Sequence, residues 1–162
     1  MKDTIKTREM DLLSWKILKE LCTNPRVTNA EIGRRVGLSA PAVADRIEKL
    51  EDQGIINGYS TNVNLDKLGL TIKALITFRA TKISYPELIK FFNSTSEIVE
   101  WNAITGNDCA MLRVAVSTGG ELERLITKFR EYGETSTTII LSTNKKLPIP
   151  MKLLTTKTSN GK

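Results

Sequence analysis

Apolar residues step along the first third of the chain by threes and fours, and along much of the rest by twos. Met10, Leu13, Ile17 and Leu21 form one helical stripe. Asp11 is placed to cap that helix, and Asn24-Pro25 stops it near Cys22. Leu12, Trp15 and Cys22 mark a second face, so the helix is expected to touch two things. For Trp15 these are a broad core contact or a partner subunit. Thr28 or Asn29 caps the next helix, Ala30 to Val36, with Thr28 and Glu31 at the spacing of a capping box. Gly37 ends it where a left-handed residue is wanted. Ser39 caps a third helix with Pro41 in its first turn, where a missing N–H costs nothing. Val43, Ile47 and Leu50 line the inner side, and Gly54 terminates it. The following IINGY contains Asn57-Gly58, a signal for a two-residue hairpin turn, so two short strands are expected to form a small wing.

The period then changes. After the turn-rich LDKLGL, residues 70–81 alternate, with Leu70, Ile72, Ala74, Ile76 and Phe78 on one face of a half-buried strand. Tyr85 to Asn93 reads as a helix through Leu88, Ile89 and Phe92. IVEWNAIT and CAMLRVAVS read as strands joined at Gly106-Asn107-Asp108. Gly120 to Tyr132 is a second amphipathic helix carrying Leu122, Leu125, Ile126 and Phe129, and TSTTIILST, 135–143, a fourth strand. The order is β-α-β-β-α-β, the split unit of a ferredoxin-like fold: one antiparallel sheet with two helices on one face. The expected class is α+β: a winged helix-turn-helix over 1–60, a linker over 61–69, a βαββαβ domain over 70–147 and a basic tail over 148–162. The stretch after Thr143 holds two prolines and five lysines and is a candidate for partial disorder.

Charge alters the picture less than its total suggests. The net +6 divides into +1 over residues 1–60, 0 over 61–142 and +5 over 143–162. If the N-terminal part binds DNA, local placement of arginines does it rather than an overall field. The 162 residues include no histidine, which removes the commonest general base and the commonest transition-metal ligand. Cys22 and Cys109 form no disulfide framework and cannot close a four-ligand zinc site. They read as small core residues in a reducing compartment. No apolar run of spanning length exists, and MKDTIKTREMD has no signal-peptide core, so a cytoplasmic chain without metal or cofactor is expected.

Three short helices with a glycine turn between the second and third describe a helix-turn-helix. The third helix would enter the DNA major groove N-terminus first. Its opening residues, Ser39, Ala40, Pro41 and Ala42, are small, which lets the backbone approach base edges and lets alanine methyls meet thymine methyls. Its free N–H groups also suit a phosphate. Asp45, Arg46 and Lys49 follow. Arg46 suits a guanine edge or a phosphate; Asp45 suits cytosine N4 or, more modestly, holds Arg46 in place. Arg34 and Arg35 are placed to grip the backbone. Against this stands a plainer view, in which the small residues pack on a neighbouring helix and the charges are simply solvated.

The stretch NAEIGRRVGLSAPAVADRIEKLEDQGIINGY resembles the helix-turn-helix signature of the Lrp/AsnC family of bacterial and archaeal transcription regulators, with LS at the turn and RIxxLExxGxIxGY at the end. The later segment resembles that family's regulatory (RAM) domain, with TTIILS as its last strand. The resemblance spans about Met10 to Leu147. It implies a homodimer formed through the sheet, often assembled to an octamer, that binds double-stranded DNA. It also implies control of amino-acid-related metabolism and an amino acid effector held between subunits near the loop joining the second and third strands. Here that loop comprises Thr105, Gly106, Asn107, Asp108 and Cys109. The family's pattern is a glycine, an aspartate three residues later, then an aromatic. Gly106 is present, but Cys109 and Ala110 hold the other two positions, and Asp108, one residue early, would face the opposite side of a strand. A thiol offers an amino acid neither charge nor a strong acceptor. Three outcomes follow: Asp108 serves from a different geometry, the ligand is larger or less polar, or the domain only assembles the oligomer. The first is favoured. The alternatives to a regulator are an effector-independent architectural protein, a tetrapyrrole-modifying enzyme on the same layout, and a protein-interaction module.

Overall fold

The computed structural model describes residues 10–144. They form two compact units, the chain passing from one to the other between Thr61 and Asn62. The expectations for the first nine residues and for the basic tail fall outside the described residues.

The first unit holds three helices, α1 (Leu12–Thr23), α2 (Asn29–Val36) and α3 (Ala40–Asp52). Each begins on a side-chain cap that answers one of the unpaired N–H groups of a helix start. The Asp11 carboxylate accepts the Ser14 N–H at 2.7 Å. Thr28 and Glu31 form the full capping box, and the Ser39 hydroxyl accepts the Ala42 N–H. Gly37 has φ 77°, and its N–H and that of Leu38 both reach the Gly33 carbonyl, at 2.9 and 3.0 Å. The turn doubles back so closely that a Cβ on Gly33 would lie 2.4 Å from the Leu38 carbonyl oxygen. Ile17, Leu21, Val27, Ile32 and Val43 fill the small core, with Ile47, Leu38, Val36 and Ile56 packed against it.

The wing is a correction. Residues 53–64 contain no strand. The hairpin turn expected at Asn57-Gly58 needs positive φ at both central residues, and no described residue other than glycine has it. The local donors are used elsewhere: the N–H groups of Ile55 and Ile56 bond the Leu50 carbonyl, finishing α3. Tyr59 donates its hydroxyl to Glu51, 2.8 Å away.

The second unit comprises β1 (Ile72–Ala80), α4 (Tyr85–Ser94), β2 (Ile98–Ala103), β3 (Ala110–Val116), α5 (Gly119–Arg130) and β4 (Gly133–Ile139). The sheet order is β2-β3-β1-β4, with every pair antiparallel. Period-two alternation sends Ala74, Ile76, Phe78, Ala110, Leu112 and Val114 under the helices, where they meet Leu88, Phe92, Leu122, Leu125 and Phe129. Phe78 stands edge-on to Phe92 with centroids 5.5 Å apart, and to Phe129 at 6.2 Å. Phe91, not among the expected core residues, joins this ring cluster through Phe129 and Tyr132. Two strand limits differ from expectation. Leu70 turns back to the Leu65 carbonyl after a 3₁₀ turn at Asp66–Leu68, so β1 starts at Ile72. β4 runs over 133–139 rather than 135–143, because Gly133 and Glu134 pair with Ala80 and Arg79 while β1 offers little partner beyond Ala74. Among the described residues no helix is long and apolar enough to cross a membrane.

Candidate nucleic-acid interface and effector loop

The apolar contacts of Val43 and Leu50 orient α3 so that Pro41, Asp45 and Glu48 lie on its exposed side. Ala40 and Ala42 are half-buried, and the Ser39 hydroxyl is committed to its cap. The opening of α3 therefore presents backbone and small side chains, as close approach to a groove requires. The charged candidates divide by what they already touch. Arg34 is exposed and has no ion-pair partner within 4 Å among the described residues. Arg35 is tied to Glu20 of α1. Lys49 pairs with Asp45 at 2.7 Å, with both side chains more than half exposed. Such a pair is worth about 0.3–0.5 kcal/mol and is readily exchanged for a phosphate.

Asp45 consequently does not hold Arg46, contrary to the expectation above. Arg46 points sideways toward α1, where its Nη1 lies 2.5 Å from Asp11 Oδ2 and 3.1 Å from Ser14 Oγ. Burial pushes the Asp11 carboxyl up. The Ser14 N–H, the Arg46 guanidinium and the Ser14 hydroxyl outweigh it and hold the group at about 2. Asp11 was legible as a cap, but nothing local announced its second partner, 35 residues away. Cys22 is half-buried, and burial raises its thiol above the ordinary value, which disfavours the reactive thiolate.

In the second unit, the Ile104 N–H donates to the Cys109 carbonyl at 3.0 Å and closes the loop over residues 105–108. Thr105, Gly106 and Asn107 are exposed, and Gly106 has φ 123°. Cys109 packs against the helix-side core, its thiol donating to the Phe78 carbonyl at 3.3 Å. Asp108 lies instead beside Arg79, 3.8 Å from Nε. Arg79 also donates to the Asn107 carbonyl at 2.9 Å and to Glu134 at 3.1 Å. Sequence reasoning missed Arg79 and Glu134 because strand pairing alone brings them to the loop; the signal was only their place on the sheet's outward-facing positions. That outward face is otherwise mixed. Leu75, Thr77 and Met111 are half-buried there, and Arg113 pairs with Glu100.

A helix-turn-helix with a small-residue third helix, followed by a βαββαβ domain, defines the class of two-part DNA-binding transcription regulators. Residues 10–57 match the family model described as winged helix-turn-helix DNA-binding, and residues 73–149 match the Lrp/AsnC ligand binding domain. The HTH-type transcriptional regulator LrpB of Bacillus subtilis is 33% identical over 125 residues, covering 77% of this chain and 84% of that protein. The solved structure of B. subtilis LrpC overlays with TM-score 0.79 at 28% identity, covering 85% of this chain and 98% of that one. The leucine response regulatory protein (LrpA) of Mycobacterium tuberculosis gives TM-score 0.69 at 27% identity, with 86% of this chain and 100% of that one covered. The chain belongs to the Lrp/AsnC family and is a helix-turn-helix transcriptional regulator.

Proposed function

We propose that the chain acts in the cytoplasm as a non-catalytic, sequence-specific regulator of amino-acid-related genes, gripping DNA with two copies of α3. The observation that carries this is the bare, capped opening of α3, Ser39 to Ala42, with the exposed Arg34 and the loosely paired Lys49 nearby in the same unit. Arg34 and Lys49 take phosphates; Ala40, Pro41, Ala42 and Asp45 face base edges. Arg35, already bound to Glu20, contributes mainly through its charge. The outward sheet face around Leu75 and Met111 joins two copies, and such dimers assemble further. Two recognition helices then read half-sites about one helical turn, or a multiple of it, apart.

We assign an amino acid effector to the loop Thr105–Cys109, with Asp108 supplying the carboxylate and the exposed backbone of Gly106 and Asn107 the N–H donors. A structural relative whose name marks a leucine response supports a small-molecule role. The test is binding of the full chain to DNA upstream of its own gene, at fixed salt with excess random competitor, repeated with each amino acid. Specific binding that shifts with one amino acid, and loses that shift in Asp108→Ala, is the expected result. Extended protection of every sequence would replace this function with an architectural one.

A further inference from the structure

We infer that Asp11 and Ser14 of α1 are positioning residues for DNA reading, acting through Arg46 to set the rotation of α3. The inference rests on the DNA-reading function proposed above.

Val43 and Leu50 anchor α3 by apolar contact, which resists separation but is poorly directional. A helix held only that way can roll or slide by fractions of an ångström at little cost. A guanidinium bonded to a carboxylate and a hydroxyl in fixed places cannot. Both acceptors are fixed: Asp11 is the cap of α1, and Ser14 supplies the N–H that the same carboxylate receives. Among the described residues, Arg46 makes the side-chain links between α1 and α3, as Arg35 does between α1 and α2. Arg46 is only about a quarter exposed, with 27% of its side chain accessible. At 100° per residue it lies on a different side of the helix from Pro41 and Asp45. A bond at Arg46 therefore dictates which way those outward positions face. Base contacts depend on that rotation; phosphate contacts from flexible lysines and arginines do not.

The experiment compares the full-length wild type with Asp11→Asn, Ser14→Ala, Arg46→Gln and the Asp11→Asn/Arg46→Gln pair. Asparagine caps a helix as well as aspartate, so Asp11→Asn removes the charge on Arg46 while keeping α1 started. The probes are a duplex enriched by the wild type from a random pool and a random duplex of equal length. Affinities are measured across a salt series, with thermal melting as the check of folding. The expected result is a loss of about tenfold in the selected-to-random ratio, comparable to losing one base contact, for Asp11→Asn and Arg46→Gln alike. Ser14→Ala loses less, the pair loses no more than either single change, and random-duplex affinity and salt slope stay put. Tighter binding of both duplexes by Asp11→Asn would make Arg46 a DNA ligand that Asp11 restrains, and overturn the inference. So would a salt slope lowered by about one in Arg46→Gln, the mark of a phosphate contact. A lower melting temperature with an unchanged ratio would leave the clamp a purely structural tie. A wild type that enriches no sequence removes the DNA-reading function itself, and with it anything for the clamp to specify.

Discussion

Asp11 serves two elements at once, and its ionisation can be followed. Its folded value of about 2 lies below the unfolded value of about 3.9. A carboxyl depressed on folding stabilises above its unfolded value, and that contribution disappears as pH falls through the folded one. The wild type should therefore lose melting temperature between about pH 4 and pH 2 more steeply than Asp11→Asn, the two curves converging at the acid end. Thermal melts of both at half-unit pH steps measure this. Because the Asp11 side chain is about half exposed, the effect should be small and should shrink in high salt. Two glycines invite a second comparison. Gly37 needs its left-handed φ but has open space, so Gly37→Ala should cost about 1 kcal/mol. Gly33 has ordinary helical φ, yet its Cβ would strike the Leu38 carbonyl oxygen, so Gly33→Ala should cost about 1–3 kcal/mol by forcing the turn open. Urea unfolding of both variants tests the order. Sequence pattern exposed the role of Gly37 and concealed that of Gly33, because a close approach is a property of two segments.

At the scale of elements, local chemistry was the reliable guide wherever a side chain answers its own backbone. The caps Asp11, Thr28 and Ser39 all stand where the pattern put them. Ser39→Ala should destabilise by about 1 kcal/mol with little change in the folded circular dichroism, since the cap bond is lost but the apolar face remains. Guanidinium unfolding would read this. A far smaller change would mean that the Ser39 bond, at 3.3 Å, is too long to matter. The wing failed for a related reason. Asn57-Gly58 permits a tight turn but does not require one, and Leu50 took the N–H groups of Ile55 and Ile56. The ends of β1 and β4 moved because a strand extends only as far as its neighbour does. Phe91 escaped notice because it lies beside the helical stripe of Leu88 and Phe92, on the side where α5 and Tyr132 happen to arrive.

At the scale of the whole molecule, α4 and α5 pack on one face of the sheet, and the proposed dimer joins two copies through the other. Leu75 lies on that face in a central strand, across from Arg113 on one side and Thr138 on the other. Leu75→Asp should leave the unit folded yet shift the chain to monomers in analytical ultracentrifugation. It should also weaken DNA binding, since two half-sites no longer share one protein. A variant that stays dimeric would exclude this face as the joining surface.

Sequence alone settled the order of elements, the caps, the alternating core and the small opening of α3. These depend on residues within a turn or a strand of one another, where spacing and stereochemistry leave few choices. It also settled what chemistry was scarce, because a chain without histidine has few general bases to offer. Tertiary structure decided the partners of charge. It took Arg46 to Asp11 rather than Asp45, and brought Arg79 to the loop of Asp108. Ion pairs of this kind join residues tens of positions apart, and a charge has no preferred spacing along a chain until packing supplies one.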